Sequence, residues 1–592
     1  MAAALRLVFN ALALLAAIAV AVALGALALQ AQPLAWSHLA LGRLMVESGT
    51  LPKSETLLYG LGLPFDASTW GWDWTACQGL RAFGPAALRV ADALLLAMSV
   101  LAVLAAGFRR GARPFSTALF SAWAWVALLP DLHPGPRMLG LAAFSGALWL
   151  MEGPFWAAFF NRWIWLAPLG LLAVNATPWA WTLAPLALLW MAAEDPPEGR
   201  PAQPRLAKGL FFGLLLLCLC LHPQGPRPLG ELLRALRGSP LLPDAFGPRQ
   251  GGLLLLAVAV AVGLASSWAF GGRVHGRRDA SVLGFFGAAA LLSRDCLPYA
   301  LVAAAPMAAA RLDVLVDALP SVLRRLRWPV KVLGLGALGM AGWAHGLGLA
   351  APVREAWPAQ TLAFYDRELL NLRVLCPPVW GGYLEWKLAP NVSLALDGRE
   401  RGPRDRRQAL QDALDGVGDL EGTLAGAGVE ACWLPLGSPL ALALGRAQDW
   451  QPVSFDDAAV FYVRANKANA ELIRVNAPRG LHPGDPAQPV DPTRVVQAEA
   501  DLEVRLAQDP GEGVLYLYQS ALWLAKDQED KARQTLEAGI RADGTFAPNY
   551  ARLADLRAAR GDVEAARILY RRALRLRDEP VWRAALARLD GR

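Results

Sequence analysis

The chain has 592 residues, too many for one domain, and 55% of them are apolar, with a mean hydropathy of +0.32. Soluble domains usually hold about 45–50% apolar residues, so the surplus belongs in lipid and a wholly soluble protein is excluded. The net charge of +7 fits Arg and Lys in cytoplasmic loops. No basic stretch interleaved with aromatics offers a base-stacking platform, so no nucleic-acid partner is expected.

Residues 8–31 form one run of Leu, Ala and Val, too long for a signal-peptide core and without a clear cleavage site. It reads as a retained first transmembrane helix. Further apolar segments lie near 87–107, 115–130, 138–152, 163–176, 178–193, 209–222, 252–270, 280–293, 297–311 and 329–350. That makes about eleven spans, several of them shorter than the roughly 20 residues that cross a bilayer.

Charge sets an orientation. Arg109, Arg110 and Arg113, then Arg200, Arg205 and Lys208, then Arg273, Arg277 and Arg278, then Arg324, Arg325, Arg327 and Lys331 fall on one side if the N-terminus is inside. The loop 223–251, with Arg227, Arg234, Arg237 and Arg249, falls on the other side and runs against this pattern. An odd number of spans puts everything after residue 350 outside, which in a bacterium is the periplasm, with the rest in the inner membrane.

The first outer loop, 32–85, is long and holds Trp36, Trp70, Trp72 and Trp74. It reads as an interfacial aromatic belt, an amphipathic surface helix or a substrate-facing loop. His38 suits phosphate binding or base catalysis, or is an interfacial residue. Arg43 is five residues on and need not share its face. Glu55, Asp66 and Asp73 are the loop's candidate base or metal ligands, or solvated carboxylates. Asp131 and His133 lie in a short outer Pro/Gly turn. Arg294 and Asp295 sit between two apolar segments, where an Arg fork suits a pyrophosphate.

Residues 351–465 alternate strand and helix, predicting a small sheet covered by helices. The strand candidates are Val374–Cys376, Val392–Leu396, Ala431–Leu434 and Ala459–Val463, with helical stretches such as Arg406–Leu414 between them. The run Arg373 to Arg399 contains Gly381-Gly382, a short predicted helix from Tyr383 to Leu388, and a strand ending in Asp397-Gly398-Arg399. Trp380, Tyr383, Asp397 and Arg399 suit sugar or partner binding, or a structural pair pinning a turn. The six cysteines show no zinc spacing. Cys376 and Cys432 fall in two predicted strands and form either a disulfide or two separate buried thiols.

Residues 466–494, rich in Pro, read as a linker. In 495–592, Gly513–Phe546 aligns with Ala547–Pro580 without a gap, a 34-residue tetratricopeptide spacing. Tyr516 falls on Tyr550, Ala532 on Ala566 and Leu536 on Tyr570. Two repeats with flanking helices barely bury a core, so the array is expected to pack on a neighbour and to recruit a protein partner.

Three stretches together resemble the GT-C superfamily of lipid-phosphate-sugar-dependent glycosyltransferases, in a bacterial branch with a periplasmic domain and tetratricopeptide repeats. They are Trp36-Ser-His-Leu-Ala-Leu-Gly-Arg43 with Gly49-Thr-Leu-Pro52, Ser293-Arg-Asp-Cys-Leu-Pro298 with Ala305-Pro306, and Trp380-Gly-Gly-Tyr-Leu-Glu-Trp386 with Asp397-Gly-Arg399. The resemblance implies a mainly α polytopic bundle over 1–350, a polyprenyl-phosphate sugar as donor, membrane lipid around it, and a divalent cation that could hold the leaving phosphate. It also implies an acid just before Trp36, where this chain has Leu34 and Ala35. Two functions follow as expectations: glycosyl transfer to an envelope acceptor, or a non-catalytic scaffold that gathers envelope-assembly partners through its repeats.

Overall fold

The computed structural model describes residues 19, 23, 25, 35–60, 62, 64–128, 132, 135–152, 162–192, 205–238, 276–318, 357–399, 402–484 and 492–591. They form two compact units: Met1–Pro52 with Asp66–Arg354, and Lys53–Phe65 with Glu355–Arg592.

The first unit is helical. Pro85–Arg109 and Leu297–Val314 are long and apolar enough to cross a membrane, while Pro114–Leu128 and Ala207–Cys220 are apolar but shorter. The runs expected at 252–270 and 329–350, and all but three residues of 8–31, lie outside the described residues. Elsewhere short helices follow from breakers. Beyond Leu166–Val174 the chain turns through Asn175 and Pro178, makes a 3-10 turn, and resumes as Leu183–Ala192. Along Pro85–Arg109, Val90, Leu94, Met98 and Leu101 are exposed while Leu96, Val100, Val103 and Leu104 are buried. An apolar outside over an apolar inside is what a lipid environment asks for.

Polar contacts in this unit sort into two ends. At one, Arg110 pairs with Glu152 and, at 2.8 Å, with Asp279; Arg311 reaches Asp279 at 3.3 Å, and Arg278 reaches Glu152 at 3.5 Å and lies 4.2 Å over the Trp190 ring. These side chains are buried, and each charge is tolerable only beside its opposite. At the other end, Trp70 Nε1 donates to Asn175 Oδ1, the Ala67 N–H donates to Gln224 Oε1, His222 Nε2 meets the Ala67 carbonyl, and Arg137 pairs with Asp295.

The second unit carries a mixed five-stranded sheet: β1 Leu372–Leu375, β2 Val392–Leu394, β3 Ala431–Pro435, β4 Trp450–Phe455 and β5 Ala459–Arg464, in the order β2-β1-β3-β5-β4. β1 is parallel to β2 and β3, while β5 is antiparallel to β3 and β4. β4 was not legible because Pro452 interrupts its pattern; it is an edge strand with an irregular register between Pro452 and Ser454.

Side chains alternate between the faces. Leu375, Cys432, Leu434, Val460 and Tyr462 pack with Leu410, Leu424 and Leu440, whereas Val374, Cys376, Trp433, Phe461 and Val463 pack with Tyr365, Trp380 and Leu384. Cys376 and Cys432 therefore lie on opposite faces and are free thiols, which corrects the disulfide alternative.

Residues 57–59 cover the β2 edge. Leu58 bridges Leu394, Tyr59 N–H donates to the Leu394 carbonyl at 3.1 Å, and Leu394 N–H donates to the Leu57 carbonyl at 2.9 Å.

The helices Gly513–Ala525 and Glu529–Ala542 are repeated at the 34-residue spacing by Ala547–Ala559 and Val563–Leu576. Ala532, Leu536, Ala566 and Tyr570 are buried in these pairs. Ala498, Leu502, Val514 and Tyr518 share one apolar core with the sheet. Within the stretch read as a linker, Ala470–Asn476 is helical, and Arg479 and Gly480 donate their N–H groups to Asp501.

Candidate functional site

The helices Trp36–Ser48 and Trp70–Phe83 cross at a glycine. A Cβ built on Gly42 would lie 2.0 Å from the Asp73 carbonyl oxygen and 2.8 Å from Cys77 Cβ, so the pair closes to this distance only because Gly42 has none. One turn earlier on that face stands His38. Its Nδ1 is 2.8 Å from Asp73 Oδ1. The Thr69 hydroxyl donates to Asp73 Oδ2 at 2.9 Å and lies 3.3 Å from the same ring nitrogen. Asp73 is fully buried, while the His38 side chain is 30% exposed. Burial pushes the Asp73 carboxyl above its ordinary range, and His38 and then Thr69 pull it back.

This arrangement has a definite chemical capacity. A buried carboxylate on Nδ1 fixes the ring and its tautomer, leaving Nε2 as the edge presented to a ligand. Such a dyad can take a proton from a hydroxyl or amide. Two of the loop's candidates, Asp73 and His38, thus meet, with Thr69 as a third member. Thr69 was missed, although its place one turn before Asp73 was the available signal.

The loop carrying the dyad is held from several sides. Asp66 accepts the Ser68 N–H at 2.9 Å, which tightens the turn into Trp70–Phe83. The Gly71 N–H donates to the Asn175 carbonyl at 2.7 Å. Arg43 pairs with Glu47, which also pairs with Arg81. Arg294 begins a 3-10 turn, Arg294–Cys296, beside the Arg137–Asp295 pair. Asp131 and His133 lie outside the described residues.

The other sequence candidates gather in the second unit. Arg399 donates to Glu55 at 3.1 Å and 3.3 Å, to Glu385 at 3.3 Å, and to Asp397. Asp397 Oδ1 also accepts the Arg399 N–H. Glu55 Oε1 further accepts the Leu57 N–H at 3.1 Å. All four side chains are nearly or fully buried, with three carboxyls on one guanidinium. Burial pushes the Glu385 carboxyl well above its ordinary range; Arg399 opposes this, while Asp397 and Glu55 reinforce it. Glu385, in the middle of Pro378–Leu388, was missed because an acid among Leu and Trp reads as a surface residue. Trp380 is buried in the core, and Tyr383 lies against Trp357 with ring centroids 4.3 Å apart. This cluster ties Glu55 to the sheet, whereas Asp73 stands at a histidine.

Among the described residues, no three His, Cys, Asp or Glu side chains come together as a metal site. Each Asp73 oxygen takes part in a hydrogen bond within the dyad, one to His38 and one to Thr69.

No protein-family model matches the chain, and no curated protein does. Among solved structures, the apo oligosaccharyltransferase of Archaeoglobus fulgidus aligns with a TM-score of 0.51 at 12% identity, over 72% of this chain and 69% of that one. The same enzyme tethered to an acceptor peptide containing the NVT sequon aligns with a TM-score of 0.48 at 10% identity, over 76% of this chain and 74% of that one. In complex with an inhibitory peptide and a dolichol-phosphate it aligns with a TM-score of 0.49, at the same identity and coverage. The first likeness is one of fold alone, a mainly helical architecture similar to that oligosaccharyltransferase.

Proposed function

We propose that the chain is an inner-membrane glycosyltransferase that moves a sugar from a polyprenyl-phosphate donor to an envelope acceptor on the outer side. The observation that carries this reading is the His38–Asp73 dyad, placed by Gly42 at the end of the first unit where Asn175, His222 and the Arg137–Asp295 pair gather. His38 Nε2 accepts the proton of the acceptor nucleophile. Asp73 holds the ring and stabilises the imidazolium that forms. The acceptor atom attacks the anomeric carbon as the bond to the donor phosphate breaks. An arginine suits the charge of that phosphate, and Arg294 is the candidate. The second unit holds the acceptor, and the repeat helices recruit a partner.

The scaffold reading has its own observation: Glu55, a candidate acid, is committed to Arg399 and does no chemistry there. A deletion strain complemented with His38→Gln, with Asp73→Asn, or with a chain lacking residues 547–592 separates the two. That truncation spares Ala498 and Val514 but removes Leu553 and Leu556 of the same apolar cluster, so its accumulation is measured alongside. Glycosyl transfer requires that His38→Gln and Asp73→Asn accumulate normally and leave an envelope glycan missing. Full complementation by both, with failure of the truncated chain, establishes the scaffold and ends the enzyme reading.

A further inference from the structure

The helix Val563–Leu576 has two unlike faces. Ala566, Tyr570 and Ala573 recur at helical spacing and pack in one cluster with Ala551 and Ala554 of Ala547–Ala559. On the opposite face, at the spacing i, i+3, i+4 and i+7, stand Ile568, Arg571, Arg572 and Arg575. Ile568 is 59% exposed, and the three arginines are exposed as well.

Most arginines around them are committed to carboxylates. Arg557 pairs with Glu537 at 3.0 Å, Arg560 with Glu529 at 2.7 Å, Arg567 with Asp590 at 3.0 Å and Arg577 with Glu579 at 2.6 Å. Arg571 reaches Asp590 only at 3.9 Å, and Arg567 already holds that carboxylate. Arg572 and Arg575 have no ion pair or hydrogen bond among the described residues. Nor does repeat packing call for this stripe. At the 34-residue spacing the first repeat has Gln534, Glu537, Ala538 and Arg541 in the same places, and Glu537 is bound to Arg557. Arg571 and Arg575, four residues apart, repel each other and weaken the helix. An anion laid across both relieves that repulsion.

We propose that Ile568, Arg571, Arg572 and Arg575 form a docking surface for an acidic protein segment, with carboxylates on the arginines and an apolar side chain on Ile568. Seven residues of helix rise about 10 Å, the reach of about three to four residues of extended chain. The partner's motif is therefore an apolar residue and several Asp or Glu within that length. A lipid surface fits less well, because an interfacial helix sinks its apolar face into the membrane, and here that face is packed against Ala547–Ala559. This rests on the partner-recruiting role given to the repeats above and is independent of glycosyl transfer.

The test titrates the detergent-solubilised full chain into a fluorescein-labelled Leu-Asp-Glu-Asp peptide with Gly-Ser flanks, read by anisotropy, beside the same peptide carrying Leu-Asn-Gln-Asn. The acidic probe is expected to bind, more weakly as salt rises. Combined Arg571→Gln, Arg572→Gln and Arg575→Gln is expected to weaken it about 10-fold, the loss that three exposed ion pairs bring. Arg541→Gln, which removes one charge from the first repeat, is expected to leave it nearly unchanged. An acidic probe that does not bind, a triple variant that binds it like wild type, or a Leu-Asn-Gln-Asn probe that binds as well overturns the proposal. Displacement of the probe by monomeric dihexanoyl-phosphatidylglycerol, and not by dihexanoyl-phosphatidylcholine, assigns the stripe to lipid headgroups and also overturns it. Should the triple variant fail to accumulate, Ile568→Asp puts a negative charge into the stripe: lost binding supports the proposal, and retained binding overturns it. If the probe does not bind and the chain lacking residues 547–592 still fails to complement, this docking surface falls and partner recruitment stands.

Discussion

Glu55 and Arg399, 344 positions apart in the chain, meet through two hydrogen bonds with both side chains buried. Among the described residues, Arg399 is the guanidinium that Glu55, Glu385 and Asp397 share. Its removal leaves buried carboxyls without their counter-charge, which typically costs about 3–5 kcal/mol. Arg399→Met is expected to lower the thermal midpoint of the detergent-solubilised chain sharply and to open the 53–65 segment to protease. Glu385→Gln, which removes one of three carboxyls from a single guanidinium, is expected to lower the midpoint less than Arg399→Met does.

Asp457 accepts the N–H groups of Gly513 and Val514 at the start of a repeat helix, while its own N–H donates to Glu512. Burial, and then Glu512, raise its pKa from 3.8 to about 8. The folded chain therefore keeps a proton that the unfolded chain gives up. The stability this proton provides is complete below the unfolded value and is lost as pH rises through the folded one, at up to roughly 1.4 kcal/mol per pH unit for one group. Urea unfolding between pH 5 and 8 is expected to show falling stability, with a flatter slope in Asp457→Asn. An unchanged slope refutes the assignment to Asp457.

Gly42→Ala places a methyl where the Asp73 carbonyl already sits, 2.0 Å from its Cβ position. The helices must separate, so His38 loses Asp73. Overpacking of this kind costs about 1–3 kcal/mol. The expected outcome is loss of glycan formation like that of His38→Gln, with a modestly lower unfolding midpoint. Wild-type activity in Gly42→Ala counts against the dyad.

Cys376 and Cys432 are free, fully buried and on opposite faces of the sheet, and burial pushes both thiols up. Alkylation followed by peptide mass analysis is expected to leave both unmodified in the native chain, and to modify both after denaturation without reductant. A reductant requirement would place a disulfide where the strand alternation forbids one.

Local pattern made much of the architecture legible. Val374 to Cys376, Ala431 to Leu434 and Ala459 to Val463 read as strands because apolar runs bounded by turn residues are nearest-neighbour information. The paired helices of 513–576 were legible for the same reason. β4 was not, because Pro452 spoils a short run and only its edge position makes a proline tolerable. Glu55, Asp66 and Asp73 looked equivalent as loop acids. Burial separated them: Glu55 went to Arg399, Asp66 to a turn and Asp73 to His38.

The sequence by itself determined the class of environment, the helical bundle, most strands and the 34-residue repeat. Each is written in periodicities and compositions that span a few turns. Tertiary structure alone decided which acid stands at His38, that Glu55 and Glu385 share Arg399, and that burial pushes the Glu385 carboxyl up. Those outcomes depend on desolvation and on contacts between distant segments. A carboxylate's properties come from what surrounds it after folding, and its neighbours in the chain do not specify that.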